Sequence, residues 1–266
     1  MVDIDSLCTD LYDEHASLDE IVLSLDQEMW DRPTPAEPWS IRDQISHLAF
    51  FDEQATLALL EPDRFNAGLQ RAIEDLQGFM DAPLEMGRAL PHEEVLGWWR
   101  GARTQMLKAF YEADRAARVP WFGPPMSLAS FISARLMETW AHGQDVADAL
   151  LIEREPTDRL QHVCHLGVRA RRNSYAAQGR EFPGGDVRVE LKAPSGEQWT
   201  LGESTEDIVR GPALDFCLVV TQRRHLADTA LQVEGDLAKE WMSIAQAFAG
   251  PPGPGRTPGQ FRPPTT

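Results

Sequence analysis

The chain of 266 residues is 42% hydrophobic and 25% charged, the balance of a globular protein with room for one large domain or two ordinary ones. Its net charge of −17 argues against a nucleic-acid partner and against an anionic membrane surface, since both would repel it. No apolar run is long enough for a transmembrane helix, the N-terminus shows no secretory pattern, and Cys8, Cys164 and Cys217 are too widely spaced for a disulfide framework, so a reducing cytoplasm is the expected compartment.

Asp5 to Asp26 is predicted as the first helix, with Leu7, Leu11, Leu18, Ile21, Val22 and Leu25 on one side and acidic residues on the other. Pro33, Pro35 and Pro38 then force an extended connection, flanked by Trp30 and Trp39. The next helix runs to about Leu60. Ser40 and Asp43 make a capping-box variant at its start, and Ile41, Ile45, Leu48 and Ala49 give its apolar stripe, with His47 inside it. Phe65 to Met80 is expected to add a shorter helical stretch. Pro91 opens a further helix through about Ala113, with Leu96, Trp99, Met106 and Phe110 at bundle spacing. Val119 to Met126 reads as a rigid apolar connection whose Trp121 and Phe122 either cap the bundle core or wall a substrate pocket. Ser127 caps a helix to Leu151 in which Leu128, Phe131, Ile132, Leu136, Trp140, Val146 and Leu150 recur at helical spacing. Four long helices with capped connections argue for a four-helix bundle over residues 1–155.

After Pro156 the pattern changes. Thr157 begins a helix to about Gln178. Val187, Val189 and Leu191 then alternate with charged residues as in a half-buried strand, and Pro194-Ser-Gly196 is a turn signal. Gln198–Leu201, Asp207–Arg210 and Ala230–Glu234 are further strand candidates. Gly211-Pro212 starts a helix through about Thr221, and Leu237 to Ala249 is the last helix. The fold class is therefore mainly α, a helical bundle followed by a smaller α+β domain over residues 156–249. Residues 250–266, rich in Pro and Gly, form a tail without a core of its own.

Glu138 and His142 lie four apart on one helix and share a face, with Asp145 three further on. A carboxylate and an imidazole one turn apart can ligate one metal ion, and they serve equally as a hydrogen-bonded pair on a solvated face. His47 comes from a different helix, either as a third ligand or as a buried structural histidine. Asp145 is placed to orient a ligand from outside the coordination shell, to be a fourth ligand, or to be a surface charge. His162, Cys164 and His165 have metal-ligand residue types, but their spacing points them to different sides of a helix. Cys164 and Cys217 lie in apolar stretches as small hydrophobes. Arg223 and Arg224 stand where cations favour a helix C-terminus. The chain has no nucleophile elbow, Walker loop or dinucleotide fingerprint.

The stretch Trp39-Ser-Ile-Arg-Asp-Gln-Ile-Ser-His47-Leu-Ala, followed far downstream by Glu138-x-x-x-His142-Gly-x-Asp145, resembles the mycothiol-dependent maleylpyruvate isomerase family, a branch of the DinB-like four-helix bundles, and is closest to an uncharacterised metal-binding subfamily of it. The resemblance covers most of the chain. It implies a divalent metal, usually zinc, held by His47, Glu138 and His142, and the small-molecule thiol mycothiol as cofactor or co-substrate. It also implies S-transfer to a small electrophile, or its cis-trans isomerisation, and an arginine in the smaller domain, matched here by Arg223 or Arg224, that orients an anionic substrate. Three nitrogen and oxygen ligands leave a coordination position open, as catalytic zinc sites do. The same set also suits metal-assisted hydrolysis, or a non-catalytic metal- or ligand-binding module.

Overall fold

The computed structural model describes residues 3–253 and 255–261. The chain forms two compact units divided between Arg154 and Glu155. In the first, α1 (Ile4–Leu23), α2 (Gln27–Trp30), α3 (Ile41–Leu60), α4 (Pro62–Glu74), α5 (Leu76–Arg88), α6 (His92–Glu112), β1 (Arg118–Trp121), β2 (Gly123–Ser127) and α7 (Leu128–Leu150) follow in order. The long helices α1, α3, α6 and α7 form the bundle: α3 packs on α6 and α7, and α1 packs on the same two. Leu18, Val22, Trp30, Ile45, Leu48, Val95, Trp99 and Val146 join their apolar faces into one core.

The capping box at Ser40 is present in full: Ser40 Oγ accepts from the Asp43 N–H, and the Asp43 carboxylate accepts from the Ser40 N–H. Asp43 also receives Arg88 Nε and Nη2 at 2.8 and 2.9 Å, which ties α5 to the start of α3. Ser127 caps α7 as its sequence predicts.

Three expectations for this unit change. The stretch around Phe65 to Met80 is two helices, because Asp75 leaves the helical conformation and its carboxylate caps α5 through the Gly78 N–H. Pro91 is the N-cap of α6 rather than its first helical residue. The connection at Val119–Met126 is an antiparallel hairpin pairing Val119 with Met126, and its register shifts between Val119 and Trp121, at Pro120, which has no N–H to donate.

In the second unit, α8 (Leu160–Arg169) and α9 (Arg171–Ala177) replace one predicted helix, the break falling at Ala170. They precede β3 (Arg188–Lys192), β4 (Gln198–Leu201), β5 (Ile208–Pro212), α10 (Ala213–Val220), β6 (Gln232–Glu234) and α11 (Asp236–Ile244). The sheet order is β4-β3-β5-β6, with β3 and β5 parallel and the other neighbours antiparallel. Val189 and Leu191 of β3 are buried while Arg188, Glu190 and Lys192 take the opposite face, where Glu190 bridges Arg188 and Arg210. The predicted last helix stops at Ile244.

The described part of the C-terminal tail lies against this unit. Gly259 N–H donates to the Asp228 carboxylate at 2.8 and 2.9 Å, and Arg224 sits 4.0 Å from the centre of the Phe261 ring. Residues 254 and 262–266 of the predicted tail fall outside the described residues. No helix among the described residues is long and apolar enough to cross a membrane.

Candidate metal centre

The His47 stretch of α3 and the Glu138–His142 turn of α7 face each other inside the bundle. The ligand atoms of His47, Glu138 and His142 all lie within 4.8 Å of one another. His142 Nε2 is 3.2 Å from Glu138 Oε2, and the two imidazole rings are 4.5 Å apart between centroids. Donors in a tetrahedral zinc shell, each about 2.0–2.2 Å from the ion, stand roughly 3.4 Å apart, so this donor set fits one divalent ion. Both histidines are 7% exposed, and the Glu138 side chain, at 22%, is the most accessible of the three.

Aromatic rings enclose the imidazoles. Trp39 lies 5.0 Å from the His47 ring and stacks on His142 at 5.9 Å and 13°. Phe51, one turn beyond His47, is 4.5 Å from it. Phe51 continues into a cluster with Trp121, Phe122, Phe79 and Phe65, in which Trp121 stacks on Phe65 at 5.4 Å. The hairpin aromatics thus pack into the bundle end and, through Phe51, back the metal-ligand face. Trp39 owes its position to the connection before α3, which turns back on itself so that Pro33 pairs antiparallel with Ser40 and the Trp39 N–H donates to the Ala36 carbonyl.

Two polar rungs tie α3 to α7 on either side of the donors. At one end Gln44 Oε1 faces His142 Nδ1 at 2.5 Å. At the other, Arg135 Nε and Nη2 both donate to Asp52 Oδ1, at 3.1 and 2.7 Å, with both residues almost fully buried. Burial pushes the Asp52 carboxyl up, against the downward pull of Arg135. His15 of α1 lies beside this pair, its Nε2 3.9 Å from Asp52 Oδ2, too long for a hydrogen bond. Burial first, then Arg103 and Arg135, hold the His15 pKa well below its ordinary 6.5, so the ring is neutral.

The depressed pKa of His15 has a measurable consequence. Below about pH 6.5 the unfolded chain binds a proton at His15 that the folded chain refuses. Stability from this site is therefore present above about pH 6.5 and is lost as pH falls below it, at up to about 1.4 kcal/mol per pH unit. Urea midpoints of His15→Leu, followed between about pH 6.5 and 5, are expected to fall less steeply than those of the natural chain. Parallel curves would show that His15 does not contribute.

Asp145 is completely buried, so it is not a surface charge, and it does not belong to the donor cluster. The group that meets the second nitrogen of His142 is Gln44, a residue the spacing of ligand types on α7 does not reveal. Gln44 stands one turn before His47 as a polar residue between Ile41 and Ile45, and it is fully buried. That mismatch between residue type and position was the available signal.

Arg223 and Arg224 lie in the second unit. Arg223 Nη1 donates to the Thr221 carbonyl and Arg224 Nη1 to that of Arg223, both at 2.7 Å, as cations at the C-terminal end of α10 do. Cys164 and Cys217 are buried with their sulfurs 3.4 Å apart, and burial raises the Cys217 thiol well above its ordinary range. Burial likewise pushes Cys8 up to about 11. Among the described residues the only group of three or more potential metal ligands is His47, Glu138 and His142, so His162, Cys164 and His165 form no such group.

A family model described as the mycothiol maleylpyruvate isomerase N-terminal domain matches residues 11–147, which span the bundle and all three candidate ligands. An uncharacterized protein of Mycobacterium tuberculosis, in strains CDC 1551 and H37Rv alike, is 41% identical over 257 residues, covering 96% of this chain and 100% of the relative. The crystal structure of the mycothiol-dependent maleylpyruvate isomerase superposes with a TM-score of 0.56 at 12% identity, over 84% of this chain and 90% of that one. A histidine-to-alanine mutant of that enzyme matches equally well. With the bundle matched in sequence and both chains alike in fold, this chain belongs to the mycothiol maleylpyruvate isomerase family.

Proposed function

We propose that the chain is a metal-dependent enzyme in which His47, Glu138 and His142 hold one divalent ion, zinc being the usual metal of the family, and that mycothiol is its thiol. The observation that supports this most is the convergence of two nitrogen donors and one oxygen donor, from two helices, within 4.8 Å. A bound zinc lowers the pKa of a thiol and favours its thiolate. The sulfur would add to a small electrophile. Expulsion of a leaving group then gives S-transfer, and expulsion of the same sulfur after bond rotation gives cis-trans isomerisation. Glu138, on the accessible side, would face the incoming molecule, while Trp39 and Phe51 keep water from the imidazoles. The buried state of Cys8, Cys164 and Cys217 supports a small-molecule source for the sulfur, and a thiol-dependent reaction suits the cytoplasm.

The test is cobalt substitution followed by titration with mycothiol. The expected result is one cobalt per chain and a new near-ultraviolet sulfur-to-cobalt band. A protein that binds cobalt without that band would refute the thiol chemistry and leave hydrolysis or simple binding as the outcome.

A further inference from the structure

We infer that Gln44 and Thr34 are positioning residues that lock His142 into the tautomer presenting its Nε2 lone pair to the ion, an inference that rests on the metal reading above. Neither residue is a ligand.

Thr34 Oγ1 lies 2.8 Å from the carbonyl oxygen of Trp39. A carbonyl oxygen has no proton, so the proton between these two atoms is that of the Thr34 hydroxyl. The same carbonyl also accepts the Thr34 N–H at 2.8 Å, which fixes the residue on the connection before α3. With its proton spent, Thr34 Oγ1 can only accept from Gln44, whose amide lies 2.9 Å away. The atom facing Thr34 is therefore Nε2, and Oε1 is left facing His142 Nδ1. Two acceptors do not pair, so Nδ1 carries a proton and donates it to Gln44.

The chain of donors His142 to Gln44 to Thr34 to the Trp39 carbonyl thus has one direction. Gln44 is 0% and Thr34 3% exposed, so bulk water does not reverse it. With the Nδ1 proton held by Gln44, Nε2 is the nitrogen of His142 that faces the Glu138 carboxylate, 3.2 Å away, and it is the one a metal ion can take. The third donor, His47, lies within 4.8 Å of both. The relay prepares the site for a cation before the cation arrives. It also joins the site to the Trp39 segment, so the ring that stacks on His142 and the carbonyl that ends the relay belong to one residue.

The experiment measures zinc affinity by chelator competition in the full-length protein, with thermal melting of each metal-free variant alongside. Gln44→Leu keeps the size and removes the acceptor. It is expected to weaken zinc binding about 10–100-fold, the usual loss for an orienting partner of a metal-bound histidine. Thr34→Val, which frees the Gln44 amide to turn, is expected to weaken it less, and Thr34→Ser, which restores the hydroxyl, is expected to recover the affinity. Long-range proton–nitrogen spectra of the zinc-loaded natural protein should place the His142 proton on Nδ1. Should Gln44→Leu fold poorly, the Thr34 pair and the spectra still decide. Wild-type zinc affinity in both Gln44→Leu and Thr34→Val, or a spectrum with the proton on Nε2, overturns the inference while the metal reading stands. A natural protein that binds no zinc overturns both.

Discussion

Arg135→Met is expected to cost about 3–5 kcal/mol in urea unfolding of the metal-free protein, because it strands the Asp52 carboxylate without a counter-charge in a fully buried site. Asp52→Leu should cost a similar amount by stranding Arg135. The double variant should recover most of the loss, since well-packed apolar side chains replace a buried ion pair at little net cost. The Arg135→Met deficit should also shrink at low pH. Burial already pushes the Asp52 carboxyl up, and without Arg135 only the weaker pulls of Trp99 and Arg103 oppose it, so the folded variant takes up a proton at higher pH than the unfolded chain. A single variant within about 1 kcal/mol of the natural chain, or a double variant no better than either single, would contradict this reading. The consequence reaches the site, because Asp52–Arg135 and Gln44–His142 bracket the ligands and set how α3 meets α7.

His142→Ala and Glu138→Ala are each expected to remove most of the metal, and combining them should add little further loss, since one multidentate interaction is broken once. Helical content should persist, because the core of Leu18, Ile45, Leu48, Trp99 and Val146 does not involve the ligands. Asp145→Ala should retain far more metal than either, because its carboxylate is not in the donor cluster. Circular dichroism and bound zinc measured on the same samples check both statements. If Asp145→Ala empties the site as fully as His142→Ala, Asp145 is a ligand.

The apolar stripes of α1, α3, α6 and α7 made the bundle legible in the sequence, because amphipathic spacing over some twenty residues leaves few alternatives. The capping residues Ser40 and Ser127 marked two helix starts for the same reason, one short side chain meeting one orphan N–H. Breaks were harder to see. Apolar spacing runs on through Asp75 and Ala170: Asp75 leaves the helical conformation, whereas Ala170 stays right-handed with ψ flattened to −2°, and neither change shows in the residue pattern. The β1–β2 hairpin was hidden by Pro120, Pro124 and Pro125, residues that read as a loop although an edge strand tolerates them.

At the site, ligand residue types at helical spacing drew attention to Glu138 and His142, and the family pattern added His47. Spacing offered Asp145 as an orienting carboxylate, a fourth ligand or a surface charge, and it is buried; the partner of His142 Nδ1 is Gln44 from across the helix pair. A partner chosen by tertiary packing leaves no trace in local spacing, and neither does the hold of Thr34 on Gln44. Arg223 and Arg224, set beside the α10 terminus by sequence position, are bound there to backbone carbonyls.

Of the three candidate ligands only His47 comes from α3, so it decides whether α3 and α7 converge on one ion. The most direct test is elemental analysis of freshly purified, unchelated natural protein beside His47→Ala, with circular dichroism confirming that both are folded. One divalent ion per chain is expected in the natural protein and little in the variant. Full occupancy in His47→Ala would make His47 a core histidine and would leave Glu138 and His142 as a pair on one helix without the shared site.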